Sequence, residues 1–406
     1  MTEKNLKNWG SISYNQLSSL ARPLHVERNL IKNDLGQVVY LRGWNKAGTY
    51  ETKEFTWVAW KKYSTARANL TFDRFKFYGA NCIRVMYNFW SWINNYPTPL
   101  EEGGSMGYRQ CINDMLARAE QRGIYVILCP YGIYPKDCPI HGWNGCPPND
   151  AGGYGFQDVM GFDPYSTAGH EGLIPNAAAF TNMLVNVVEE LGSHVNLIIE
   201  FYNEPWMGYT GSYYANLWQY VWQSTINAIR QKEAEKGYVN HLILVQFTSN
   251  LRYTLLNDPC SNFNWYWTNP LNDSANNLAY SQHCYRYHGS VGYQNPKTSR
   301  PYDYETIKSI YIEEGVYNLS RVVPIVIGEI GASINVDSTE PTGTEYEWLK
   351  NSLQIFNEWG LGYLGWCWWD ANVGMQQIEL GSEYTNGGTV NKYGQILVDA
   401  IKKGSE

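Results

Sequence analysis

Eight short apolar runs, each followed by a longer stretch, constrain this chain more than any other feature. They are "VVYLRGWN" (38–45), "NCIRVMY" (81–87), "IYVILCP" (124–130), "LIIEFYN" (197–203), "LILVQF" (242–247), "LAYSQHCY" (278–285), "VPIVIGEI" (323–330) and "LGYLGWCWW" (361–369). Most are apolar on both faces, as strands are when a parallel sheet is covered by helices. The intervening apolar spacing predicts helices over 71–78, 108–122, 177–191, 212–236, 304–319 and 346–359. Eight alternating units predict an α/β chain folded as a closed (β/α)8 TIM barrel rather than an open doubly wound sheet. No Gly-x-Gly-x-x-Gly follows the first run, so the dinucleotide-binding alternative lacks its main signature.

The ordinary barrel needs about 250 residues, and this chain has 406. The excess falls after particular strands, at 131–173, 248–277 and 286–300, as long strand-end loops where a barrel keeps its site. Before the first strand, "LHVERNLIKNDLGQ" reads as a β-hairpin, so residues 1–37 form an extension and hairpin capping the barrel bottom. With neither linker nor internal repeat, 1–406 reads as a single catalytic domain.

Net charge is −7, and no block of basic residues occurs, which argues against nucleic acid. No apolar run approaches 18 residues, so no membrane span is expected. Eight cysteines include no Cys-x-x-Cys and no Cys/His spacing suited to zinc, so neither metal nor cofactor is expected. Cys138 and Cys146 flank the loop "CPIHGWNGC", which a disulfide could close, and the even count leans towards an oxidising compartment. The first ten residues carry no apolar core of a secretory signal. Aromatics make up 15% of the chain, including 17 Trp and 33 Tyr, enough to serve both a core and the stacking of a flat ligand.

Barrel strands deliver chemistry at their C-terminal ends. There the second run offers Arg84, the fourth Asn203 and Glu204, the sixth His283 and Tyr285, and the seventh Glu329. The eighth offers Trp366, Trp368 and Trp369. Glu204 and Glu329 come from strands three apart, so they can face each other across the ring. Two such carboxylates divide the work of glycosidic cleavage: one donates a proton to the leaving oxygen, the other attacks or stabilises the sugar carbon. Arg84 would keep the attacking carboxylate ionised. Tyr285 could donate a hydrogen bond to it, Asn203 could bind a sugar hydroxyl, and the tryptophans could form a stacking floor. Glu200, on the same strand face as Glu204 but a layer below the rim, is expected to be a buried structural acceptor.

On these residues the chain resembles glycoside hydrolase family 5, the cellulase-type family of clan A. "EFYNEP" resembles its Glu-x-x-Asn-Glu-Pro signature, "PIVIGEIG" its nucleophile strand, "GANCIRV" its arginine strand and "YSQHCY" its His-x-Tyr strand. "GWCWW" is similar to its tryptophan strand, and "GQVVYLRGWN" to its opening hairpin and first strand, where Trp44 is expected as a substrate contact. The resemblance implies that Glu204 is the acid/base and Glu329 the nucleophile of a retaining enzyme. It implies that Asn203 binds the sugar 2-hydroxyl, that Arg84 and Tyr285 orient the nucleophile, and that His283 contacts substrate or the acid/base. The strand-eight tryptophan maps to Trp369, with Trp366 or Trp368 in its place if the strand is shifted. Where many members end strand three with an aspartate and a histidine, this chain has "VILCPYG", so Cys129, Pro130 and Tyr131 stand in that region. The loop residue His141 could replace the contact, against the simpler reading of a solvated loop histidine. The expectation is a monomeric, extracellular endo-β-1,4-glucanase acting on β-linked polysaccharide or oligosaccharide. The alternatives are a β-mannanase or other β-glycanase, a transglycosylase on the same barrel, and a sugar-binding barrel without catalysis.

Overall fold

The computed structural model describes residues 20–49, 54–55, 62–131, 173–203, 212–247, 264–285, 303–331, 345–368 and 390–404. An antiparallel hairpin comes first, β1 (Leu24–Glu27) with β2 (Leu30–Asn33). The barrel strands follow as β3 (Arg42–Lys46), β4 (Cys82–Asn88), β7 (Tyr125–Tyr131), β8 (Leu197–Glu200), β9 (Ile243–Gln246), β10 (Leu278–Tyr285), β11 (Ile325–Gly331) and β12 (Gly362–Trp368). A small hairpin, β5 (Pro97–Pro99) with β6 (Ser105–Gly107), interrupts the second βα loop. Every barrel pair is parallel, neighbours follow chain order, and β12 closes on β3: the fold is a (β/α)8 TIM barrel.

Strand alternation sorts the side chains into two compartments. On β4, Ile83 and Val85 face outward into the layer shared with the helices, while Cys82 points inward. On β8, Leu197 and Ile199 join the outer layer and Ile198 the inner one. The inner apolar cluster also holds Leu41, Ile127, Leu244, Val326 and Leu364, and Leu24 and Ile31 of the hairpin pack against it. The hairpin therefore covers the end of the barrel where the strands begin. Residues 1–19 of the expected extension lie outside the described residues.

Three differences from the expected boundaries have a clear local cause. The first barrel strand begins at Arg42 rather than at 38, because Val38 and Val39 pair with β2, Val39 N–H donating to Ile31 O at 2.8 Å. The first helix starts at Thr65, six residues earlier than expected, since the Ser64 side chain caps it by accepting from Arg67 N–H. The expected helix over 304–319 is two helices, Tyr304–Glu313 and Val316–Ser320. Gly315 separates them at φ 87°, a left-handed conformation that glycine adopts without steric cost.

Candidate active site

Above the apolar inner layer, the barrel interior turns polar around one arginine. Alternation along β4 carries Arg84 inward from the Cys82 layer, and its side chain is fully buried. Burial alone would disfavour its charge, and the Glu200 and Glu329 carboxylates outweigh that, holding the guanidinium pKa above its usual value. Its Nε donates to Glu200 Oε2 on β8. Its Nη1 donates to Glu329 Oε1 on β11 at 2.8 Å and to Asn45 Oδ1 at 3.0 Å. Its Nη2 donates to Asn203 Oδ1 at 2.8 Å and to Cys129 Sγ at 3.3 Å. A planar fork of five N–H donors suits this arrangement, because one rigid group ties five barrel strands or their ends together.

Secondary contacts hold the acceptors in turn. Asn45 Nδ2 donates to Gly328 O at 2.8 Å, joining β3 to β11 beside Glu329. Gly328 sits where β10 and β11 shift register, and a Cβ there would come 2.6 Å from Ser281 Oγ and 3.2 Å from His283 Nε2. Only glycine lets His283 lie so close: its Nδ1 stands 3.5 Å from Glu329 Oε2. Asn203 donates its backbone N–H to Pro130 O at 3.2 Å, which ties the end of β8's run to β7. Burial first, then the neighbouring Glu200 carboxylate, raises the Cys129 thiol pKa well above its ordinary value, so it contributes a neutral sulfur.

The structure brings Arg84, Asn203, His283 and Glu329 into one buried cluster, each at most 6% exposed. Glu200 is buried there as an ion-pair acceptor. Tyr131 ends β7 half-buried, its ring 6.5 Å from that of Tyr202. Trp366 is 5% exposed and packs with Ala47, Met86, Cys129 and Cys367 near the polar cluster. Glu204, His141 and Trp369 lie outside the described residues, as do the Tyr285 side chain, the Cys138–Cys146 pair and the separation between the two carboxylates.

Two expected sugar contacts are corrected. Trp44 was expected as a substrate contact and Trp368 on a stacking floor, but both are wholly buried in the outer layer. Their rings meet edge-on at 5.5 Å, and Phe75 of the helix Thr65–Phe77 packs against both. Alternation explains Trp44: with Asn45 facing inward, its predecessor must face the helices. Asn45 and Cys129 were missed as partners of Arg84. The available signal for Asn45 was its place as a polar residue ending the first strand.

A closed parallel barrel whose polar cluster lies above an apolar inner layer defines the class, a (β/α)8 barrel with a buried ion-paired cluster towards the strand ends. A family model described as Cellulase (glycosyl hydrolase family 5) matches residues 45–372, and the chain belongs to that family. Solved structures of similar fold include the catalytic domain of the major endoglucanase from Xanthomonas campestris pv. campestris, 15% identical with a TM-score of 0.66, covering 93% of this chain and 99% of that one. A hyperthermostable endocellulase is 18% identical with a TM-score of 0.64, covering 95% and 98%. The β-mannanase from Thermomonospora fusca is 16% identical with a TM-score of 0.56, covering 95% and 97%. Among curated protein sequences, none matches this chain. Among the described residues, no helix is long and apolar enough to cross a membrane.

Proposed function

We propose that this protein is a retaining endo-β-1,4-glucanase, one catalytic domain working as an extracellular monomer on β-linked glucan. The observation that carries the reading is the fork of Arg84, which holds Glu329 Oε1 and Asn203 Oδ1 at 2.8 Å each. One cation thereby orients the carboxylate assigned as nucleophile and the residue next to the assigned acid/base, Glu204. In the first step Glu329 attacks the anomeric carbon while Glu204 protonates the departing glycosidic oxygen, leaving a glycosyl-enzyme ester. In the second, Glu204 takes a proton from water, which attacks the same carbon and restores Glu329, so configuration is retained. That outcome requires the two carboxyl groups about 5–5.5 Å apart. Asn203, through its side-chain amide, would contact the sugar 2-hydroxyl, and Tyr285 would orient the nucleophile. His283, beside Glu329, would contact substrate at the cleaved sugar. Tyr131, Trp366, Trp369 and His141 would contribute further substrate contacts.

The family's description as Cellulase supports glucan as substrate. β-Mannanase is the second reading, favoured by the presence of mannanases beside endoglucanases among the similar folds. Reducing-end release from carboxymethylcellulose, mixed-linkage β-glucan, mannan and xylan, measured side by side, separates them. Release from glucan above the others is expected. Release from mannan alone would select the mannanase, and lengthened products at high substrate concentration would select a transglycosylase. No release from any would leave a sugar-binding barrel. Glu329→Gln and Glu204→Gln should each abolish release, and a fully active Glu329→Gln protein would remove the nucleophile assignment.

A further inference from the structure

Glu200 has no part in the two-carboxylate mechanism, yet it is fully buried and spends its carboxylate on the same arginine as Glu329. Two buried carboxylates, Glu200 and Glu329, therefore share one buried guanidinium, that of Arg84. At a spacing of a few ångströms and the low effective dielectric of a protein interior, charges interact strongly enough to move each other's proton affinities. Arg84 alone would hold Glu329 at low basicity, as an adjacent cation holds any carboxylate. A nucleophile stabilised too far in its ground state attacks slowly, because that interaction weakens as its charge passes into the new bond.

We infer that Glu200 is a positioning residue that tunes the nucleophile: by sharing Arg84 it limits the cation's pull on Glu329 and fixes the plane of the guanidinium. The inference rests on the reading of Glu329 as nucleophile and deepens it. The Nε–Glu200 pair uses the inner edge of the fork, leaving Nη1 for Glu329 and Nη2 for Asn203. Loss of that pair leaves Nε without its charged acceptor and removes the only other carboxylate that the described geometry places on the guanidinium. The other described groups around the set are common to parent and variant. Cys82 lies on β4 in the layer below, and burial raises its thiol pKa far above the usual value. Cys129 on β7 is likewise a protonated thiol. Lys46, buried on β3, donates to Ala47 O at 3.0 Å. His283 on β10 faces Glu329 in parent and variant alike, so its contribution cancels in a comparison.

The test is the pH profile of kcat/KM for the parent, Glu200→Gln and Glu200→Asp on a soluble β-glucan. Removing the Glu200 charge leaves Arg84 pulling on Glu329 alone, so the pKa of Glu329 falls. The acid limb of the profile should move to lower pH by roughly one unit in Glu200→Gln. The limb should move less in Glu200→Asp, which keeps the charge but draws it back by about one carbon–carbon bond. Turnover should fall roughly tenfold in Glu200→Gln while KM stays near the parent value, because no substrate reaches a fully buried side chain. A purely structural role would lower the melting temperature and the active fraction without moving the limb. An unmoved or upward-moved limb in folded Glu200→Gln would overturn the role of Glu200 and leave the nucleophile assignment intact. Should that variant fail to fold, Glu200→Asp decides alone: an acid limb at the parent position overturns the inference. No hydrolysis by the parent would overturn both readings together.

Discussion

Arg84 Nη1 lies 2.8 Å from Glu329 Oε1 although the two residues are 245 positions apart, and neither side chain is more than 6% exposed. A buried charged pair survives only when its remaining hydrogen-bonding capacity is met. Arg84 meets this by donating to Glu200, Asn45, Asn203 and Cys129 as well. Arg84→Lys keeps the charge and loses the fork, since an ammonium on a flexible stem cannot span these acceptors. The variant is expected to keep its far-ultraviolet circular dichroism while kcat/KM falls by roughly 100-fold, the scale seen when one preorganised group is removed. Parent-like kinetics would show that charge alone matters at this position.

Trp44 and Trp368 belong to stability rather than to substrate. Both are wholly buried, and Phe75 packs edge-on against Trp368 with ring centroids 5.1 Å apart. Replacing either by alanine opens a cavity between barrel and helix, at a cost of about 3–5 kcal/mol. Urea denaturation should show that loss, while KM, measured well below the new melting temperature, stays at the parent value. A large rise in KM with unchanged stability would return these residues to the substrate cleft.

The contrast between these two cases shows what the sequence made legible. Strand number, order and closure were readable because a strand covered on both faces must be apolar throughout, and eight such runs remain distinct. Arg84 and Glu329 were readable because a charge near the end of an apolar strand has few structural reasons to be there. The sidedness of Trp44 was also in reach, since Asn45 beside it carries the polar strand end inward. What period-two patterning does not contain is which inward groups meet across the ring. The sharing of Arg84 by Glu200, Asn45 and Glu329 depends on barrel closure and strand stagger. The break at Gly315 lay within a stretch whose apolar spacing continued across it, so two helices read as one.

Alkaline pH should unfold this protein early. Burial pushes the Cys111 and Cys284 thiols and the Tyr363 phenol up to about 12 each, and raises Tyr63, Tyr87 and Tyr311 well above their usual value. In the unfolded chain these groups ionise at about 8.5 for Cys and 10 for Tyr. Between those values and the folded ones, the unfolded state binds fewer protons, so stability falls as pH rises. The melting temperature is expected to hold to about pH 8 and then drop through pH 9–11. Calorimetry across that range tests it, and a flat profile to pH 11 would contradict the burial of these groups.

A second buried arginine sets the acid side of the stability profile. Arg230 grips Asp273 with Nε to Oδ1 and Nη2 to Oδ2, both at 2.8 Å, and its Nη1 reaches Glu233 Oε2 at 2.7 Å. Burial opposes the charge of Asp273, but the Arg230 contacts and the backbone N–H groups of Asn277 and Ala275 prevail and hold its pKa below the usual carboxylate value. Asn277 in turn donates to Leu24 O at 2.9 Å, which ties this clamp to the hairpin at the barrel end opposite the strand termini that carry the site. A carboxylate whose pKa is depressed by folding contributes stability above its unfolded pKa of about 3.9, and that stability is lost as pH falls through the folded value. Asp273→Asn should therefore cost about 3 kcal/mol at neutral pH, by leaving Arg230 short of a buried partner. The deficit should shrink as pH drops below about 4, because the parent then loses the same charge. Turnover at 25 °C should match the parent. Equal denaturation midpoints for the two proteins at pH 7 would show that the clamp adds nothing beyond what packing supplies.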